Sequence, residues 1–314
     1  GQSVHIVYAD ATKGWIPISD DDVADVPTKK NTYGIFGFGA TGSDTGFVGV
    51  TNLVSNAGVV ASDVAAVGTA RDRTAACEYG EQKGIFGFGQ TGSVTGVTNL
   101  VSNVGVVASD VSAVGTARLA PAACSYGEDK GIFGFGDSGS PTNVSNLVSN
   151  AGVVASDTTG VGTARGYLGA TEYGDDKGIF GFGWMAPGNT GLTNLVSNVG
   201  VVATDTTAVG TAGHGVGACS YGEDKGIFSY GSSRTVTNLV SNTGVVASDV
   251  TEVGTNRDRL GATQYGGDKG IFGYGGPGSS PKSITNLVTN VGVVGSDVTG
   301  VGTARWGVGA CSFG

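Results

Sequence analysis

The chain has 314 residues, of which 59 are Gly and only 7 are Pro, so collagen and polyproline architectures are excluded. Charged residues are 14% and the net charge is −9, an acidic balance that repels phosphate backbones and argues against a nucleic-acid partner. No apolar stretch approaches the roughly 20 residues of a membrane-spanning helix, so no membrane span is expected.

Residues 1–32 read as an extended leader, distinct from the repetitive remainder. The chain begins at Gly1 and its only Met is Met185, which points to a processed product or part of a longer polypeptide. No secretory signal pattern is present. Asp20-Asp21-Asp22 could attract a cation, but it lacks the Gly and distal Glu of an EF-hand loop and reads as a solvated linker.

From Tyr33 onward the chain repeats. The block G-I-F-x-[FY]-G places Ile at 35, 85, 132, 179, 227 and 271, and the Asp after G-V-V-[AG]-[ST] falls at 63, 110, 157, 205, 249 and 297. Both series count six repeats at steps of 44 to 50 residues, the period of a propeller blade. Each repeat divides into four strand-like runs, for example 122–126, 131–136, 97–102 and 105–111. Val, Thr and aromatics suit a half-buried pleat. Tyr-Gly-[Glu/Asp]-Asp-Lys supplies the turn between the first two runs. Asn-x-Gly, as in Asn103-Val104-Gly105, supplies a hairpin with Gly in the left-handed region. No helical periodicity is sustained.

The first repeat opens on its second run, 33–39, and the chain ends on a first run, Ala310-Cys311-Ser312-Phe313-Gly314. The C-terminal strand is therefore expected to complete the N-terminal sheet, closing a ring without open edges. The expected fold is all-β: a six-bladed β-propeller of four-stranded antiparallel blades over 33–314. Gly37, Gly87 and Gly134 alternate with Phe36, Phe86 and Phe133, so one face of that strand is bare and the aromatics are expected between blades.

Two resemblances follow. Arg118-Leu119-Ala120-Pro121-Ala122-Ala123-Cys124-Ser125-Tyr126-Gly127, then Lys130-Gly131-Ile132-Phe133-Gly134-Phe135-Gly136, resembles the kelch repeat, with the Gly pair split by an aromatic except at Gly275-Gly276. In the leader, Val4-His5-Ile6-Val7-Tyr8-Ala9-Asp10-Ala11-Thr12-Lys13-Gly14-Trp15-Ile16-Pro17 resembles a linker of large structural proteins of marine tailed phages. That resemblance implies a virion tail-fibre or appendage subunit, present in several copies, that engages other virion proteins through its leader and carries the propeller as the outer, extracellular module.

Enzyme chemistry finds little support. The only two His, His5 and His214, lie in different segments and offer no metal cluster or triad. Gly37-Phe38-Gly39-Ala40-Thr41-Gly42 matches a dinucleotide fingerprint, but a strand follows it rather than a helix. Asp44, Asp72, Asp137 and Asp258 are scattered over different repeats, unlike a glycosidase pair. No catalytic residue, cofactor or metal is expected. Cys77, Cys124, Cys219 and Cys311 share one register, filled elsewhere by Thr171 and Thr263, and read as free buried thiols. Arg71, Arg118, Arg165, Arg257 and Arg305 share another, with Gly213 in the fourth repeat; structural pairing and a ring-shaped anion site are both open to them.

The repeats differ in the loops after G-[FY]-G (40–50, 90–96, 137–142, 184–191, 232–234 and 276–283) and in the segments after Val-Gly-Thr. In an up-and-down blade these connections share one face, where recognition is usually built. Trp184, Tyr167, Trp306, His214, Arg71 and Arg257 are the candidate ligand-binding residues, the aromatics suited to stacking on a sugar ring. The expected function is host-surface recognition of a glycan or receptor. A purely structural or decoration module and a free lectin-like propeller are the alternatives.

Overall fold

The computed structural model describes residues 6–10, 12, 14–17, 31–42, 45–65, 67–277 and 280–314. The acidic run Asp20-Asp21-Asp22, His5, Asp44 and most of the leader lie outside the described residues. Within the leader, Ile6–Asp10 and Gly14–Pro17 pair as an antiparallel hairpin. The chain is all-β, with no helix among the described residues. Accordingly, none there is long and apolar enough to cross a membrane.

From Asn31 on, six small antiparallel sheets recur, each with a first, second and third strand in sequence-equivalent places. Ala122–Tyr126, Lys130–Gly134 and Ser145–Val148 are representative, with Cys124 opposite Ile132 and Ile132 opposite Leu147. The sheet containing Tyr33–Gly37 and Thr51–Val54 takes its first strand from the C-terminus. Gly309–Phe313 pairs with Tyr33–Gly37 from Gly309↔Gly37 to Phe313↔Tyr33. Stacking of Tyr33 on Phe313 at 5.9 Å and a bond from Thr32 N to Gly314 O at 2.8 Å seal that seam. Each first strand packs against those of the two flanking sheets, and the order 75–79, 122–126, 169–173, 217–221, 261–265, 309–313 closes back on its start.

The fourth run differs from expectation. Among the described residues only one repeat forms a fourth strand, Val250–Thr251 on Val236–Val240. The other fourth runs attach through pairs of isolated bridges such as Thr51↔Val64 and Val54↔Val60. Between those bridges, residues 61–63 face only 52–53, so the edge is bulged and a regular ladder cannot form. The Asn52 side chain fills the gap, donating from Nδ2 to Ala61 O at 3.0 Å and Asp63 Oδ1 at 2.8 Å. The same Asn recurs as Asn99, Asn146, Asn194, Asn238 and Asn286, each wholly buried.

Aromatics sit between neighbouring sheets, as the Gly/Phe alternation predicts. A Cβ on Gly37 would stand 2.7 Å from Phe86 Cζ of the next repeat, so only a bare backbone admits that ring. The alternation itself stops at the next aromatic. Phe38 and its equivalents through Tyr274 take left-handed φ, 64° at Phe38, which turns the chain out of the strand and lays Phe38 edge-on to Phe86 at 5.2 Å. The four cysteines are free and buried. Each fits against a neighbouring Gly, as Cys77 does against Gly131, and burial pushes the Cys219 thiol up to about 12.

Candidate functional site

The repeated Arg register builds a clamp between consecutive sheets. Arg71 donates from Nε to Phe88 O at 2.9 Å, from Nη1 to Thr69 O at 3.0 Å and from Nη2 to Asn99 Oδ1 at 2.7 Å. Its guanidinium lies 4.1 Å from the Phe38 ring centre. Asp110 accepts from Thr69 N at 3.0 Å and Thr69 Oγ1 at 2.5 Å. Burial raises the carboxyl's pKa, but bonds from Thr69 and Asn99 outweigh that and hold it below the ordinary aspartate range. The pattern repeats around the cycle and crosses the seam, where Thr303 meets Asp63 and Arg305 meets Asn52. Arg71 and Arg257 are 0% exposed, so these two expected ligand contacts are inaccessible to a ligand and tie sheets together instead.

The junction that lacks the register Arg recruits another. Arg234, from a variable loop, is 2% exposed, stacks 4.0 Å from the Phe182 ring centre and donates from Nη2 to Asn238 Oδ1. A Cβ on Gly213 would stand 2.5 Å from Arg234 Cδ, so the missing side chain at 213 makes room for the substitute.

The two sets of variable connections meet. Bridges Ala40↔Trp306, Asp72↔Gln90, Leu119↔Asp137, Gly166↔Trp184, His214↔Ser232 and Asp258↔Gly276 join the segment after each clamp to the loop after G-[FY]-G of the next repeat. The constant turns meet one another elsewhere: Gly80 N donates to Asp129 O at 2.7 Å, and the same Gly lies against Asn150 O of an Asn-x-Gly turn.

At the centre of the loop side, Arg73, Ala120, Tyr167, Gly215, Arg259 and Gly307 line a cavity of about 60 Å³. Backbone bonds link them in succession: Ala120 N to Arg73 O at 2.9 Å, Tyr167 N to Ala120 O at 3.0 Å, Gly215 N to Tyr167 O at 2.8 Å, Arg259 N to Gly215 O at 2.9 Å and Gly307 N to Arg259 O at 2.8 Å. All six take left-handed φ, between 47° and 64°. Arg73 lies 3.8 Å from Asp72 and Arg259 lies 3.3 Å from Asp258.

Of the expected aromatics, Tyr167 and His214 come together edge-on at 5.8 Å, with Arg73 at 5.9 Å from the Tyr167 ring centre. His214 Nδ1 meets Asn189 Oδ1 at 2.8 Å. Burial lowers the imidazole pKa; Asp258 opposes that and Arg259 adds to it. Trp184 is half-buried on the neighbouring bridge. Trp306 is only 2% exposed, its ring covered by the Arg259 guanidinium at 3.6 Å and its Nε1 donating to Gly42 O at 3.3 Å, so it closes a gap rather than offering a stacking face. Sequence reasoning missed Arg73 and Arg259. The signal was present in Arg71-Asp72-Arg73 and Arg257-Asp258-Arg259, where a second Arg follows the clamp by two residues.

The first strands enclose a second central recess of about 50 Å³, lined by residues that include the four cysteines. There Ser125 donates to Glu172 at 2.6 Å, Ser220 to Gln264 at 2.8 Å and Asn31 to Glu78 at 2.6 Å. These bonds satisfy side chains within the fold. Among the described residues no group of three His, Cys, Asp or Glu is placed to hold a metal. No family model matches the chain, and no curated protein matches it.

Proposed function

We propose that the closed cycle of six sheets is a six-bladed β-propeller serving as a non-enzymatic recognition module, with its diversified loop face as the binding surface. The observation that carries this reading is the set of six bridges joining both variable connections, while the constant turns bond to one another. Loops on a rigid scaffold can diverge without cost to the frame. Half-buried Tyr167, His214 and Trp184, clustered at adjacent bridges, supply aromatic faces for a sugar.

The setting rests on the leader's resemblance alone: a tailed-phage virion, in which the module is a tail-fibre or appendage component that contacts other virion proteins and displays several copies outward. Kelch-like ancestry rests on the repeat pattern in the same way.

The test is adsorption of the purified chain to bacterial cells and to a glycan array, with electron-microscopic class averages of the particle. A six-fold disc that binds a surface glycan, and loses binding on Tyr167→Ala or Trp184→Ala, supports the reading. An open spiral, or a disc that binds no surface, overturns it.

A further inference from the structure

We infer that the side carrying the constant turns is a self-association surface, on which a second copy of this chain docks face to face. The contact is separate from recognition at the loop face and does not depend on it. Three observations carry it.

The first is an exposed, uncharged collar. Each Asn-x-Gly turn is followed by Val, from Val59 in the first repeat to Val293 in the sixth, and these six valines are 59% to 65% exposed. The residue before the Gly is exposed too and is Ala, Val or Thr in every repeat. Turns ordinarily take polar residues, and open edges are ordinarily guarded by charge. The fold does not call for these side chains. Ser55 Oγ holds the first turn by accepting from Ala57 N at 3.3 Å and Val59 N at 3.1 Å, and Gly58 sits against the Tyr265 ring of the preceding sheet. Exposed residues of the loop face differ from repeat to repeat, whereas this exposed Val is the same six times.

The second is the shape of what fits. An isologous contact puts the same patch on both subunits, so a second copy matches a collar of this repeat and diameter at every turn at once. Between neighbouring turns the surface dips. The dip at the seam, a cavity of about 540 Å³, is lined by residues that include Leu53, Val59, Val104, Tyr33 and Phe313. Valines of a facing collar enter such dips, giving the apolar packing of an interface core. A stable dimer hides roughly 800 Å² on each partner, about a sixteenth of the 12565 Å² this chain exposes and less than one face of the cycle presents.

The third is charge. The run [Ser/Thr]-Asn-x-Gly-Val-Val holds no ionisable side chain in any repeat, so two collars meet without burying a charge, although the chain carries −9 overall. The hairpins between first and second strands lie inside the collar, because the first strands pack around the centre. They carry Glu81, Glu128, Asp175 and Glu223. Facing sets of these acids repel, and salt screens that repulsion. A lipid surface is the poorer match, since it favours an apolar face bordered by Lys and Arg over one with acids at its centre. Pairing on this side leaves both loop faces outward, so one pair carries two recognition surfaces.

The experiment is sedimentation equilibrium of the full chain across the micromolar range at low and high salt. A reversible dimer is expected, severalfold tighter at high salt. Val106→Glu with Val153→Glu and Val201→Glu changes exposed side chains on three neighbouring turns. That variant should keep the circular dichroism spectrum and sediment as a monomer. Thr91→Glu with Ser138→Glu adds the same charge at exposed positions of the loop face and should leave the dimer intact. A wild-type chain that stays monomeric, a dimer that survives the triple exchange, or one that weakens as salt rises overturns the assignment. Equal loss of the dimer in the loop-face variant overturns it as well. A monomer that sediments with phosphatidylcholine vesicles, and ceases to in the triple variant, overturns the second copy in favour of a lipid surface. The dimer is read without any ligand, so its failure leaves recognition by the loop face standing.

Discussion

Arg71 and Arg73 are two residues apart and live under different rules. Arg71 is 0% exposed, its three nitrogens bonded to Phe88 O, Thr69 O and Asn99 and its plane against Phe38 of the preceding repeat. Arg73 faces the central mouth at a backbone angle that suits Gly. Around the cycle the first position is Arg five times, and its one vacancy, at Gly213, is filled in space by Arg234. The second runs Arg, Ala, Tyr, Gly, Arg, Gly. A residue that each sheet presents to the next must match an identical partner, so it cannot drift alone. A residue that faces the centre is under no such matching constraint and is open to specialisation.

The sharpest way to break this contrast is to truncate a clamp. Arg118→Ala leaves the buried acceptors Asn146 Oδ1 and Phe135 O without their donor and empties the space against the Phe88 ring. With two buried acceptors unsatisfied at about 1–3 kcal/mol each, a loss of about 3–5 kcal/mol is expected in urea unfolding. Arg118→Lys should recover little, because one ammonium cannot reach three divergent acceptors. If Arg118→Ala cost less than Asp72→Leu with Arg73→Ala, which installs the Leu119-Ala120 pair of another repeat, the division between frame and mouth would fail.

Inter-sheet packing comes next in size. A Cβ on Gly134 would stand 2.7 Å from Phe180 Cζ, so Gly134→Ala forces a buried ring out of place. The expected cost is about 1–3 kcal/mol by the same unfolding measurement. Repeat five shows how the frame absorbs a larger residue at this register: Ser229 is wholly buried and bonds Thr237 Oγ1 at 2.6 Å. Gly134 faces Ser145 in the same register, so Gly134→Ser gains a hydroxyl partner and should cost less than Gly134→Ala.

Much of the frame was legible in the sequence because identical residues recur at one period. The Ile and Asp series located the six sheets, and the split first repeat located the seam now seen as Gly309–Phe313 on Tyr33–Gly37. The fourth strands were misread because Val-Val-Ala-Ser-Asp has strand composition while its bulge depends on an Asn eleven residues away, such as Asn52 for Asp63. The site was legible only in outline. Variable loops marked the side, but Trp306 looked available because aromatic identity carries no information on what covers it, and Arg259 does. Arg73 and Arg259 escaped notice because they lie beside the clamp arginines, whose regular spacing drew the eye.

The junction with the borrowed arginine predicts a smaller effect. Arg234 bonds through Nη2 alone, to Asn238 and, at 3.3 Å, to Val236 O. Its Nε and Nη1 have no hydrogen-bond partner among the described residues. Arg234→Ala should accordingly cost about 1 kcal/mol, the range of a single net hydrogen bond. Gly213→Arg added to that background should restore the loss, while in the presence of Arg234 it should destabilise, since both side chains claim one space. A double-mutant cycle measures that coupling directly.

The same junction also carries a pH response. Glu252 is half-buried and unique to its repeat; the equivalent places hold Ala or Gly. Burial lifts its carboxyl from the ordinary 4.5 to about 7, against the pull of Arg257 and Arg234. The folded state then holds a proton that the unfolded chain has released. Stability is fully present below pH 4.5 and drains as pH rises through about 7. His214 acts in the opposite sense, since its folded pKa is lowered and its contribution is lost toward acid. The difference between wild type and Glu252→Gln isolates the carboxyl. The variant should gain melting temperature at pH 8 relative to wild type and show little gain at pH 4.5. An equal gain at both would mean that the arginines, rather than the proton, balance this buried acid.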